Sequence, residues 1–313
     1  MDIRKIHTGF ITRRFPLAIA LLFFFALRIP WLDKGNPLEF WASAVIQTGI
    51  AISLLYLTQT YNIVRQKTLL PAFFYVWLTG TNPVCFYNLR GSISAFLIVP
   101  CLAFLFHSYH NPRSQRNMLN ISLILTLGSF YWAPLLFFFP LFWQGMYRFK
   151  IFNFKNFFAG VLGIVLIFLF LFAWSVYKGD ETVFEQILSG WSVVCDFRVD
   201  SLDVKGWVRI AFVMLLFILS GVRIFMAGIS EKVQTIHILS YLYMLAGILF
   251  VVFFFQNQWT PEWLLILYIP VSLLMAHYFT YTYRKSVSWL FLLTIIFFLG
   301  MFVWEWMILE GVI

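Results

Sequence analysis

The chain has 313 residues, of which 62% are hydrophobic and 11% charged, with a mean hydropathy of +0.86 and a net charge of +9. A soluble domain carries about 25% charged residues, and so few polar groups do not cover the surface of a water-soluble protein of this length. The composition excludes an ordinary soluble enzyme and makes lipid the solvent for most of the chain. The surplus of Lys and Arg is then assigned to loops on one membrane face and not to nucleic acid.

Arg4, Lys5, Arg13 and Arg14 precede the first apolar run, which offers no small-residue cleavage site. This predicts a retained signal anchor as the first helix, over 16–32, with Pro16 in its first turn where a missing N–H costs nothing. Asp33, Lys34 and Glu39 form a short loop before a second helix at 40–60. A third run, 69–88, contains Asn82-Pro83, and Pro83 should end or kink it. The fourth helix covers 92–109 with Pro100 in mid-span, followed by a basic loop with Arg113 and Arg116.

Residues 118–131 and 135–147 flank Trp132-Ala133-Pro134. Each half is about 21 Å long at 1.5 Å per residue, short of a hydrocarbon core of about 30 Å. These fifth and sixth helices are expected to be short or re-entrant, packed against full-length neighbours. A seventh helix covers 157–177. The polar loop at 178–206 includes the amphipathic stretch ETVFEQILSGW, and spans follow at 207–227, 236–256, 263–281 and 287–307. The expected fold is all-α, a polytopic transmembrane bundle of about 11 helices forming one integral membrane domain over 1–313.

With the N-terminus inside, fifteen Lys and Arg residues fall on inner segments and six on outer ones, with Arg28 left within the first span. The bias predicts N-in, C-out. The outer six are Lys34, Arg90, Lys178, Arg198, Lys205 and Arg209. Trp31, Trp132, Trp259, Trp263 and Trp304 fall near outer boundaries, as an aromatic belt would.

An ionisable side chain at membrane depth is the first functional suspect. Arg28 either snorkels to the interface or joins Arg90 in binding an anionic head group such as a phosphate. Asp33 and Glu39 share that outer layer as candidate catalytic carboxylates or as solvated loop residues. His107 and His110 are close enough for one helix face, but no further metal ligand lies nearby, and no metal site is expected. Cys85, Cys101 and Cys195 show no spacing of a disulfide framework or zinc site. Ala159 and Gly163 form a small-xxx-small pair suited to close helix packing. The sequence calls for no cofactor and no nucleic acid; the partners it implies are the bilayer, an anionic lipid such as a polyprenyl carrier, and other membrane proteins.

The order NP, LRG, LTLGSFYWAPLLFFFPLFW, then FKNFFAGVLGIVLIFLF resembles an uncharacterised family of bacterial polytopic inner-membrane proteins over about residues 16–180. That resemblance implies a multi-pass protein of the bacterial inner membrane and assigns no site residue. More distantly, the order is similar to the C-type glycosyltransferases that use polyprenyl-phosphate sugars. That likeness implies an outer-facing site with a catalytic acid in the first outer loop, a position held here by Asp33 or Glu39. The loop is shorter than in that superfamily. The readings are therefore an envelope protein with a structural or assembly role, a C-type transferase using a polyprenyl-linked donor, and a transporter. A transporter is disfavoured by the scarcity of charge at mid-membrane.

Overall fold

The computed structural model describes residues 15–64, 68–178, 203–226, 232–255, 260–281 and 285–310. Among these residues there are eleven α-helices and no strand. They are α1 (Phe15–Arg28), α2 (Pro37–Thr60), α3 (Leu70–Gly80), α4 (Leu89–His107), α5 (Gln115–Tyr131), α6 (Phe138–Arg148), α7 (Phe154–Lys178), α8 (Val204–Met226), α9 (Val233–Phe255), α10 (Thr260–Tyr281) and α11 (Lys285–Leu309). Seven of them, α2, α4 and α7–α11, are long and apolar enough to cross a membrane. The all-α polytopic expectation holds. The stretch ETVFEQILSGW, Arg198, Cys195 and Trp259 lie outside the described residues.

The chain groups into two compact units, one drawn from 1–95, 200–253 and 259–313, the other from 96–199 and 254–258. In the first, α3 and α10 form the centre. Every residue of α3 is buried, and α3 packs on α1, α2 and α10, while α10 also meets α8 and α11. Phe73 stacks on Trp77, and Phe74 on Phe279 of α10.

The third run is broken where Pro83 is expected to end or kink it: within 69–88, α3 stops at Gly80 after eleven residues, about 16 Å of rise. Asn82 is extended, with φ −116° and ψ 98°, as the residue before a proline prefers to be. A 3-10 turn over Pro83–Cys85 follows before α4. The apolar run continues through Val84, Cys85 and Phe86, so hydropathy alone does not reveal the break.

In the second unit α5 packs along α7. A Cβ on Gly163 would clash with the Ser122 hydroxyl oxygen and lie 3.2 Å from the Leu119 carbonyl oxygen, so the small residue is what lets the two backbones approach. Trp132 is extended (φ −146°, ψ 100°) and ends α5. A 3-10 turn over Ala133–Phe137 leads into α6, which has eleven residues. The expected break therefore falls at Trp132, and no continuous helix runs through Pro134. By contrast, α4 runs unbroken through Pro100. Most of α7 is exposed on the protein, as a helix facing lipid would be. The aromatic-belt expectation is corrected at two positions: Trp132 and Trp263 are 2% and 1% exposed, enclosed by protein.

Candidate functional site

One end of the first unit carries a cavity of about 520 Å3. Its walls come from chain segments far apart in sequence: Trp31 and Lys34; Asn82 to Val84 with Tyr87; Asp203 to Ile210 at the start of α8; Leu264 near the start of α10; and Glu305, Ile308 and Leu309 near the end of α11. The C-terminal ends of α1, α3 and α11 thus meet the N-terminal ends of α8 and α10. Lys34, Lys205 and Arg209, which the charge reading puts on one membrane face, line the same cavity.

The chain makes these walls for local reasons. Pro30 opens a 3-10 turn over Ile29–Lys34, which at three residues per turn sets Trp31 and Lys34 on one side. Tyr87 donates its hydroxyl to the Trp31 carbonyl and ties this turn to the start of α4. Asn36 caps α2 by accepting from Leu38 N at 3.1 Å, with Pro37 at the first helical position. On the other wall, the Asn82-Pro83 break directs the Asn82 side chain away from its own helix.

That side chain holds the central charge. Arg209 is only 4% exposed. Its Nη1 donates to Asn82 Oδ1, and Nη2 donates to the Thr81 carbonyl at 3.0 Å and meets Glu305 Oε1 at 2.9 Å. Asn82 Nδ2 in turn donates to Tyr268 Oη at 3.2 Å. Arg209 Nε and Glu305 Oε2 are buried without a hydrogen-bond partner. A second, more open pair joins Lys205 Nζ to Asp203 Oδ2 at 3.1 Å. A buried ion pair in an apolar setting is weak evidence for stability, because both ions lose hydration. It is stronger evidence for a site that uses the charges.

The structure places the four sequence candidates as follows. Arg28 is 1% exposed, so it does not snorkel to an interface. Its Nη2 donates to Gln47 Oε1 at 2.6 Å and its Nη1 reaches the Phe40 carbonyl at 3.4 Å. The rings of Phe24 and Phe86 lie 4.3 and 4.7 Å from the guanidinium carbon. Gln47 passes the chain of bonds on, donating to the Cys85 carbonyl and the Ser92 hydroxyl, each at 3.0 Å. Arg90 is exposed in the first turn of α4, and Asp33 is exposed in the 3-10 turn. Glu39 sits in the first turn of α2 and accepts from Asn36 Nδ2 at 3.4 Å. None of Arg28, Asp33, Glu39 and Arg90 lines the cavity. Arg28 stands behind it instead: Phe40, Phe86 and Phe302 form a core cluster on which Trp31 and Tyr87 pack.

The residues that sequence reasoning missed are Arg209 and Glu305. Each stood in plain view as a charge inside an apolar run, in WVRIAF and VWEWM. The rule applied to Arg28 would have found both. Cys85, in the turn between α3 and α4, is fully enclosed, and burial pushes its thiol up to about 12. His107 is the last residue of α4 and His110 has φ 56°, so the two do not share a helix face. Among the described residues, no group of three His, Cys, Asp or Glu side chains is placed to hold a metal ion.

A family described only as a family of unknown function (DUF6427) matches residues 10–308. No curated protein and no solved structure matches the chain significantly.

Proposed function

The chain belongs to that family, and from its polar cavity we propose that it binds the head group of an amphiphile at one membrane face, in the service of envelope biogenesis at a bacterial inner membrane. The observation that carries this is the Arg209–Glu305 pair, held by Asn82 in the wall of a 520 Å3 cavity that Lys34, Lys205 and Asp203 share with apolar side chains. Pockets of about 300–1,000 Å3 with apolar walls and a few convergent polar groups are the usual form of small-ligand sites. Ile308, Leu309 and Leu264 suit an alkyl chain, and Lys34 and Lys205 suit a phosphate. The charge bias favours N-in, C-out, with the cavity on the outer face.

A second reading, a C-type transferase acting on a polyprenyl-linked donor, gains support from one observation: the first loop supplies Trp31 and Lys34 to the cavity. In that reading Asp33, beside Lys34 in the same turn, is the acid that acts on the carrier head group, and Arg90 is a further contact for it. Glu39 is the weaker candidate because it is engaged with Asn36.

The test is lipid analysis of the purified full chain. Wild type should retain an amphiphile through purification, and the paired substitution Arg209→Met with Glu305→Leu should lose it while the protein stays monodisperse. Equal retention by both would refute the proposal. For the transferase reading, Asp33→Asn should fail to restore an envelope glycan lost on deletion. Full restoration removes that reading and leaves a binding or assembly role.

A further inference from the structure

We propose that the cavity takes a zwitterionic phospholipid head group, one that joins a phosphate to a primary ammonium as phosphoethanolamine does. This rests on the reading that the cavity holds the head of an amphiphile, and it names the class.

The cavity is lined by charges of both signs: Lys34, Lys205 and Arg209 against Asp203 and Glu305. Four of the five are already matched, Arg209 with Glu305 at 2.9 Å and Lys205 with Asp203 at 3.1 Å. What remains over is one cation, one acceptor and the Arg209 Nε donor. Lys34 is exposed and makes no ion pair among the described residues. Glu305 spends Oε1 on Arg209, while Oε2 has no partner.

A ligand that is only an anion would use Lys34 but would also face two carboxylates, and like-charge juxtaposition in a partly dehydrated site is unfavourable. A ligand that is only a cation would use Glu305 and be repelled by three basic groups. A head group with both charges a short link apart satisfies the cation and the acceptor together, without separating either existing pair.

The nitrogen should carry N–H groups. The Glu305 side chain is only 13% exposed and its Oε2 is an acceptor without a partner, which an N–H donor satisfies and a trimethylated nitrogen does not. Val84, Ile210, Leu264, Ile308 and Leu309 line the same cavity and suit the first carbons of acyl chains.

The experiment is native mass spectrometry of the delipidated full chain in detergent, titrated in turn with short-chain phosphatidylethanolamine, phosphatidylcholine and phosphatidic acid. Phosphatidylethanolamine should bind at least about fivefold more tightly than either of the others, roughly 1 kcal/mol on the affinity scale. Lys34→Gln, an exposed substitution, should weaken phosphatidylethanolamine and phosphatidic acid alike, by about tenfold, because both bring a phosphate. Glu305→Gln should abolish the preference between these two. If that variant does not fold, the wild-type ranking and Lys34→Gln still decide. Phosphatidic acid binding as tightly as phosphatidylethanolamine would mean a site for simple anions and would overturn the proposal. Equal binding of phosphatidylcholine would overturn it too, since no N–H would then be read. In both cases the amphiphile reading survives. Saturable binding of none of the three would remove that reading as well.

Discussion

Arg28 closes α1 with its charge enclosed and, among the described residues, no carboxylate paired with it. Three aromatic rings and the Gln47 amide replace water around it. Gln47 is the more exacting member, because it serves Arg28, the Cys85 carbonyl and Ser92 at once. Removing one partner of a buried charged hydrogen bond costs more than removing the charge itself. Gln47→Leu is therefore expected to lower stability by about 3 kcal/mol, whereas Arg28→Met, which keeps the stem and deletes the charge, should cost less than half as much. Thermal unfolding of the two purified variants in one detergent compares them, and the reverse order would show that Arg28 does not depend on Gln47. The sequence pointed to Arg28 because a charge among apolar residues stands out. Its surroundings were less legible. Phe24 is one turn away and foreseeable at i, i+4, but Phe40, Gln47 and Phe86 arrive only when α1, α2 and the turn after α3 pack.

At the scale of helices, the periodicity and length of apolar runs gave the number and order of the elements, and the basic loops gave their separation. The pair at α5 and α6 was legible because Trp132-Ala133-Pro134 interrupts a stretch too short for two spans. The end of α3 was legible from Asn82-Pro83, although the apolar run itself continues through Val84, Cys85 and Phe86. The pairing of α5 with α7 shows what a small residue secures. Gly163→Ala should destabilise by about 1–3 kcal/mol through overpacking, since the new methyl lands on the Ser122 hydroxyl. Adding Ser122→Ala should recover more than half of that loss, because the clash with the hydroxyl disappears and a 3.0 Å approach to the Ser122 Cβ remains. Unfolding midpoints of the single and double variants measure this, and an absence of recovery would place the strain at the Leu119 carbonyl instead.

Across the molecule, the same end of the first unit gathers the termini of α1, α3, α8, α10 and α11 around one cavity. Elsewhere in the unit, Thr235 near the start of α9 donates to the Asn62 carbonyl just past the end of α2. The absolute orientation calls for a probe, and the cysteines supply one. Cys85 is enclosed, and burial raises its thiol to about 12, so it should resist maleimide at pH 8 until denatured. Cys101 is buried as well. Cys195, in the polar loop predicted for the outer face, should then be the position labelled by an impermeant maleimide in cells with an opened outer membrane. Labelling only after the inner membrane is breached would invert the orientation. The site as a whole was less legible than the topology, since Arg209 and Glu305 are joined only by folding and no local spacing connects them.

The distance along the chain between those two charges also sets an order in time. Glu305 follows Arg209 by about a hundred positions, and at synthesis rates of roughly 5–20 residues per second it emerges about 5–20 s later. Throughout that delay the guanidinium has entered an apolar helix without its carboxylate. The Asn82 amide and the Thr81 carbonyl were made long before and are fixed by the turn at Pro83. The chain thus provides neutral, early-made hosts for a charge whose ionic partner arrives with the last helix.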